Sequence, residues 1–234
     1  MLRGVAGVVV LAALAALVPL TGRQLRAAPP PSPPVPVVVE LFTSEGCSSC
    51  PPADGVLTTL VATQPVAGAR IIALGEHVDY WDRLGWRDPF SSAQFSSRQT
   101  QYAASLPHSG GVYTPQLVID GGQELVGSNL RAATAAVALA AARSAPRFRV
   151  SLAVAPRTAA ALQVTIAVLP PGEGAGRTAP DVWLAVTEDG LESHVQRGEN
   201  HGRTLRHTAV VRSLVRLGAP AAGHAAWTAT RSVS

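Results

Sequence analysis

Val37-Val38-Val39-Glu40-Leu41-Phe42-Thr43-Ser44-Glu45-Gly46-Cys47-Ser48-Ser49-Cys50-Pro51-Pro52 sets an apolar, β-branched run ahead of a polar turn, two cysteines two residues apart, and a pair of prolines. Strand, turn, C-x-x-C and helix start is the order that a dithiol–disulfide exchange site needs. These are the only 2 cysteines in 234 residues, so each pairs with the other or with a partner molecule. Pro51 and Pro52 suit the first turn of a helix, where a missing N–H costs nothing. Cys47 is thereby expected near the helix N-terminus and exposed, with Cys50 about one turn further in. Orphan N–H groups and the helix dipole favour a thiolate there. Cys47 is the expected nucleophile, and Cys50 the resolving thiol that attacks a mixed disulfide.

Two other uses of the pair stand beside this one. A structural disulfide closing so short a loop contributes only about 2 kcal/mol by the loop-entropy argument, a weak staple for a chain with a proper core. A zinc or copper site lacks a second C-x-x-C or C-x-x-H to complete it, although His77 could serve as a third ligand.

The 47% hydrophobic content is ample for a core, and the 19 basic residues are all arginine. Arg3, Arg23 and Arg26 lie in a leader without acids, which leaves 16 arginines against 15 acids in the body. The net charge therefore gives no basis for nucleic-acid binding, and the absence of lysine excludes Schiff-base chemistry on that side chain.

Residues 1–28 read as a signal peptide or signal anchor. Gly4 to Leu20 is an apolar stretch of 17 residues behind Arg3, at the short limit for anchoring in a membrane. The body is thus expected outside the cytoplasm, periplasmic, secreted or anchored, where a disulfide persists. A Pro-rich linker spans 29–36.

Strand one is expected over Val37 to Phe42. Glu40, inside that apolar run, is a candidate proton carrier for Cys50 if burial raises its pKa. A helix is expected from Pro51 to Thr63, then a strand over Ile71 to Gly75. Short crossovers make such strands parallel, so their C-terminal ends share one edge of the sheet, where ligand sites collect. Glu76-His77-Val78-Asp79-Tyr80-Trp81-Asp82 follows the second strand. His77, Asp79, Tyr80 and Trp81 are candidate substrate-binding residues; His77, Asp79 and Asp82 could instead bind metal, or the loop could simply pack. A helix from Ser91 to Leu106 is expected to lie over this edge, with Gln94, Arg98, Gln99 and Gln101 on an exposed polar face.

Thr114-Pro115 opens the next strand. A cis proline there would leave the Thr114 backbone free to pair with an extended substrate. Asp120-Gly121-Gly122 turns into Glu124-Leu125-Val126, and Ser128 or Asn129 caps a helix over Leu130 to Arg143.

Order, spacing and motifs resemble the thioredoxin fold. More closely, Glu40 to Asp54, His77 to Asp82, Tyr113-Thr114-Pro115-Gln116 and Gly198-Glu199-Asn200-His201-Gly202-Arg203-Thr204-Leu205-Arg206-His207 resemble an exported bacterial thioredoxin-like family known as a domain of unknown function. Relative to thioredoxin, Gly46 replaces the usual Trp before the first cysteine, Ser48-Ser49 replaces Gly-Pro, and the turn before Cys47 is one residue longer.

From Arg147 the pattern changes to period two: 148–154, 162–168 and 182–187 read as strands, 205–217 mixes strand and helix signals, and 219–234 is weakly patterned. The fold class expected is an α/β thioredoxin-like domain with a helical insertion over 37–145, followed by a small β-rich, sandwich-like domain over 146–234. Glu199, Asn200 and Arg203 are expected to link the two. The resemblance implies a further strand or two, yet the chain ends soon after Trp227, so a truncated sheet with an open edge, or one closed by a partner, is expected.

The function expected is thiol–disulfide exchange, without a cofactor or metal, on protein or small-molecule thiols and disulfides, with a redox partner the residues do not name. The alternative is a redox-inert binding or scaffold module; its marks would be a buried Cys47 and a covered Thr114-Pro115 edge.

Overall fold

The computed structural model describes residues 33–107, 109–143, 147–155, 162–170, 180–220 and 226–233, all within one compact unit, Pro33–Ser234. The expected signal (1–28) and the linker as far as residue 32 lie outside the described residues. Among the described residues no helix is long and apolar enough to cross a membrane.

The chain is an α/β protein built on a mixed six-stranded sheet. Strand β1 (Val35–Thr43) takes in the last two residues of the expected linker and pairs in parallel with β2 (Ala69–His77), from Val35 opposite Ala69 to Thr43 opposite His77. Helix α1 (Pro51–Thr63) makes the crossover. Glu76 and His77, expected in the loop, are the last residues of β2, where His77 meets the buried Asp88 and Glu76 lies beside Arg98. Helix α2 (Ala93–Ser105) starts where the Ser92 hydroxyl accepts from the Gln94 N–H. Strands β3 (Gln116–Ile119) and β4 (Gln123–Val126) form the expected hairpin. Helix α3 (Leu130–Ala142) is capped by Asn129, whose side chain accepts from Ala132. Alternation along β1 decides what each face carries. Val37, Val39 and Leu41 pack under α1 and α3 with Leu57, Leu60 and Val137. Phe42 packs on the other face with Phe95 of α2, Val118 and Leu214.

The strands expected in a separate C-terminal domain are shared out. β7 (Val182–Glu188) and β10 (Val210–Gly218) extend the central sheet, whose order is β4-β3-β1-β2-β10-β7. β10 joins β2 where Val210 lies opposite Gly75. A Cβ at Gly75 would come within 3.2 Å of the Thr208 carbonyl oxygen, so glycine is what admits this backbone. β5 (Arg149–Val154), β6 (Leu162–Leu169) and β11 (Trp227–Val233) form a second sheet. The weakly patterned tail is therefore a strand of this chain, paired along β6. β8 (Leu191–His194) and β9 (Thr204–His207) form a hairpin that packs on α1 through β9.

The polar face of α2 departs from expectation. Gln94 and Gln101 are exposed, but Gln99 is buried and Arg98 is half-buried. Two carboxylates on the sheet require this. Glu40 accepts from Arg98 Nε at 2.7 Å and from the Tyr102 hydroxyl at 2.5 Å. Glu76 lies beside them, 3.4 Å from Arg98 Nε, with neither oxygen hydrogen-bonded. Desolvation, then the neighbouring Glu40 charge, push the Glu76 carboxyl well up, against the pull of Arg98. One cation thus serves two buried acids.

The sign of the pH dependence follows. Above its ordinary value the unfolded chain releases the Glu76 proton while the folded chain keeps it, so stability falls as pH rises, by about 1 kcal/mol per pH unit, until the folded group ionises. Glu76→Gln is expected to remove this fall and to unfold above the parent at pH 8 but level with it near pH 4, measured by urea titration across pH. Arg98→Met, which leaves both acids without a cation, is expected to cost about 3 kcal/mol.

Candidate active site

The C-terminal ends of β1 and β2, the start of α1 and the start of β3 meet at one edge. Cys47 and Cys50 are joined in a disulfide, with Cα atoms 5.4 Å apart. Cys50 is the N-cap residue of α1. The Thr114–Pro115 peptide bond is cis, and the Thr114 hydroxyl donates to Cys47 Sγ at 3.5 Å. The two stretches singled out by their sequence, 67 residues apart, are thus in contact.

Cys47 is not exposed as expected: its accessibility is 0%, while Ser48 and Ser49 are open to solvent. Two covers account for it. From the loop after β2, Trp81 donates through Nε1 to the Thr114 hydroxyl at 2.8 Å. A Cβ at Gly46 would stand 3.1 Å from Trp81 Cβ, so the glycine that replaces a bulky residue before the first cysteine leaves room for Trp81. From the β8–β9 connection, Asn200 Nδ2 donates to the carbonyl oxygens of Glu45 (2.8 Å) and Cys47 (2.9 Å). Beside it, Glu199 accepts from the Ser48 N–H at 2.8 Å, and hydrogen bonds from Ser48 hold its carboxyl below the usual value. The expected link between the halves of the chain runs through Glu199 and Asn200; Arg203 acts one step back, donating to Asn200 Oδ1 at 2.8 Å.

Beneath the loop lies a buried polar cluster. Glu45 accepts from Trp86 Nε1 (2.8 Å), from His207 Nε2 (2.9 Å) and from the Ser193 hydroxyl. Its N–H donates to Asp88 Oδ2 at 2.8 Å, and the same oxygen accepts from His77 Nδ1 at 2.7 Å. Burial by itself would lower His77 and raise Asp88. Their mutual attraction outweighs it, holding the imidazole above and the carboxyl below their ordinary values, with the Glu45 and Phe90 N–H groups helping the latter. The rings of His77 and His207 stand 4.8 Å apart. Asp54, in the first turn of α1, accepts from the Thr43 hydroxyl at 2.8 Å and lies 3.8 Å from His207 Nδ1.

Of the residues singled out in the sequence, Cys47, Cys50, Thr114, Pro115 and Trp81 come together. His77 is spent on Asp88. Asp79 binds Ser96, Tyr80 donates to Gln99 at 3.1 Å, and Asp82 accepts from Ser91. Glu40 sits on the sheet face opposite α1, its carboxylate occupied by Arg98 and Tyr102. Among the described residues no group of three or more His, Cys, Asp or Glu is arranged to hold a metal ion. Glu45, Asp54, Asp88 and His207 escaped sequence reasoning. The alternation Leu205-Arg206-His207, buried–exposed–buried, is the signal that could have placed His207 inside.

The chain belongs to the DUF1223 family of proteins of unknown function, whose sequence profile matches residues 38–234. No curated protein matches it. Among solved structures it is similar to protein AGR_C_4864 from Agrobacterium tumefaciens, at 28% identity and a TM-score of 0.67 over 86% of this chain and 80% of that one. It is also similar to HBP35 of Porphyromonas gingivalis, at 15% identity and a TM-score of 0.64 over 86% of this chain and 65% of that one, a likeness of fold alone.

If the β8–β9 connection closes the sulfur, loosening it speeds attack. Glu199→Ala, a change at an exposed carboxylate, is expected to raise the rate of Cys47–Cys50 reduction by dithiothreitol several-fold with the unfolding midpoint unchanged. Asn200→Ala is expected to raise it further and to cost about 2 kcal/mol, since two buried carbonyls lose their donor. Equal rates in all three proteins would place the cover elsewhere.

Proposed function

We propose that the protein is an exported thiol–disulfide oxidoreductase of thioredoxin-like fold, acting through Cys47 and Cys50. The observation that carries the reading is the contact between the Thr114 hydroxyl and Cys47 Sγ beside the start of α1. It puts a strand-leading backbone segment, a cysteine pair and a helix N-terminus at one sheet edge. The apolar leader and the rarity of cytoplasmic disulfides support a place outside the cytoplasm.

The step balances as follows. A substrate thiolate attacks Cys47 Sγ, a new S–S bond forms, the Cys47–Cys50 bond breaks, and its electron pair leaves on Cys50, which takes a proton. The second substrate thiolate attacks the substrate sulfur of the mixed disulfide and releases Cys47. The substrate is oxidised by two electrons and the protein dithiol is the reduced product. In reverse, Cys47 thiolate attacks a substrate disulfide and Cys50 resolves it. Thr114 supplies the backbone against which an extended substrate lies, and Trp81 bounds that seat.

One observation favours the second reading, a redox-inert binding module: Cys47 is fully buried and Trp81 covers Thr114. Trapping decides between them. The reduced Cys50→Ser protein is expected to accumulate a mixed disulfide with oxidised glutathione and with a disulfide-bonded peptide, seen as an added mass at Cys47, whereas Cys47→Ser gives none. Absence of the adduct in both variants, with Cys47 alkylated only after unfolding, supports the inert module.

A further inference from the structure

Reduction of the disulfide has to place a proton on Cys50, and the chain holds a buried pair suited to it. Asp54 follows Cys50 by four residues in α1. Side chains i and i+4 share a helix face and lean toward the N-terminus, which brings the Asp54 carboxyl to the cysteine's side. Its N–H donates to the Cys50 carbonyl at 3.1 Å. Oδ1 is held by Thr43, while Oδ2 faces His207 Nδ1 at 3.8 Å. That nitrogen is buried with no hydrogen-bond partner, although the other ring nitrogen is fixed on Glu45 at 2.9 Å. A buried, unpartnered imidazole nitrogen is rare enough to need a reason, and the gap to Asp54 is just beyond hydrogen-bond length.

We propose that Asp54 and His207 form the acid–base pair that carries the Cys50 proton during disulfide exchange; this rests on the exchange reading above. As the Cys47–Cys50 bond breaks, the electron pair on Cys50 Sγ takes the proton of the Asp54 carboxyl. The carboxylate so formed is drawn to His207 Nδ1 and regains its proton from solvent through the cleft of about 440 Å³ that Asp54 lines with Arg203 and Arg206. In the reverse direction Asp54 receives the proton of the Cys50 thiol before Cys50 attacks. Besides the two arginines, the charged or titratable groups facing Asp54 are His207 on β9, His77 on β2 and Asp88 in the loop after β2, while Glu45 meets the far nitrogen of His207. Burial raises the Asp54 carboxyl above its ordinary value, while His207 and His77 pull it down. Glu40, the acid first expected in this role, is occupied by Arg98 and Tyr102.

The test is the rate of disulfide reduction by dithiothreitol from pH 4 to 9, divided by the thiolate fraction of the reagent. The acid form of Asp54 is needed, so the corrected rate of the parent falls as pH rises through the Asp54 titration. Asp54→Asn is expected to be about a hundredfold slower at the acid end, the low side of general-acid effects, and flat with pH. His207→Gln removes the imidazole that faces the Asp54 carboxylate and favours its charged form, so the Asp54 inflection moves to higher pH. This second variant keeps the test decisive should Asp54→Asn fail to fold. Parallel profiles in parent and variants, with reduction intact, overturn the Asp54–His207 pair alone. A disulfide that resists reduction at every pH overturns the exchange reading and this inference with it.

Discussion

Glu45 is the group on which the arrangement of the site depends. A carboxylate two residues before Cys47 with no accessible surface is tolerable only if its oxygens are bonded. The donors come from three segments: Trp86 from the loop after β2, Ser193 from β8 and His207 from β9. Its backbone is bound as well, the N–H by Asp88 and the carbonyl by Asn200. The loop carrying the disulfide therefore cannot reach its observed form until β8 and β9 have docked. This gives the C-terminal half a physical task at the site.

The same economy governs the other sheet face. Glu40 and Glu76 project from β1 and β2 into the layer under α2, and Arg98 answers both. Helix α2 is turned by this demand, presenting Arg98 and Gln99 inward along with Phe95, and Gln99 donates to Gln116 at the start of β3. The Glu45 cluster lies beneath the loop that carries the disulfide, and Trp81, Glu199 and Asn200 bond to the residues around it.

Much of this was legible in the residues. The strand–turn–C-x-x-C–helix order located β1, the disulfide and α1, because apolar alternation and helix-starting prolines are local signals. Thr114-Pro115 stood out for the same reason, a proline at a strand start. The covering of Cys47 was not legible, since Asn200 lies 153 residues away and its bonds go to backbone carbonyls, which leave no trace in side-chain pattern. Glu40 was visible as an acid in an apolar run, but the parity of β1 puts it with Arg98, and that pairing depends on how α2 packs. Strand β11 was missed because Trp227-Thr-Ala-Thr-Arg-Ser-Val233 buries little of either face and is held by its ladder to β6.

The most direct measurement is the reduction potential of the Cys47–Cys50 couple in the purified protein, by equilibration in glutathione or dithiothreitol buffers read by thiol alkylation. An exchange catalyst is expected to show a reversible couple between about −270 and −120 mV, the span of known dithiol oxidoreductases. A disulfide below about −300 mV, the range of structural bonds, would contradict the account and leave the buried, covered pair as a staple in a binding module.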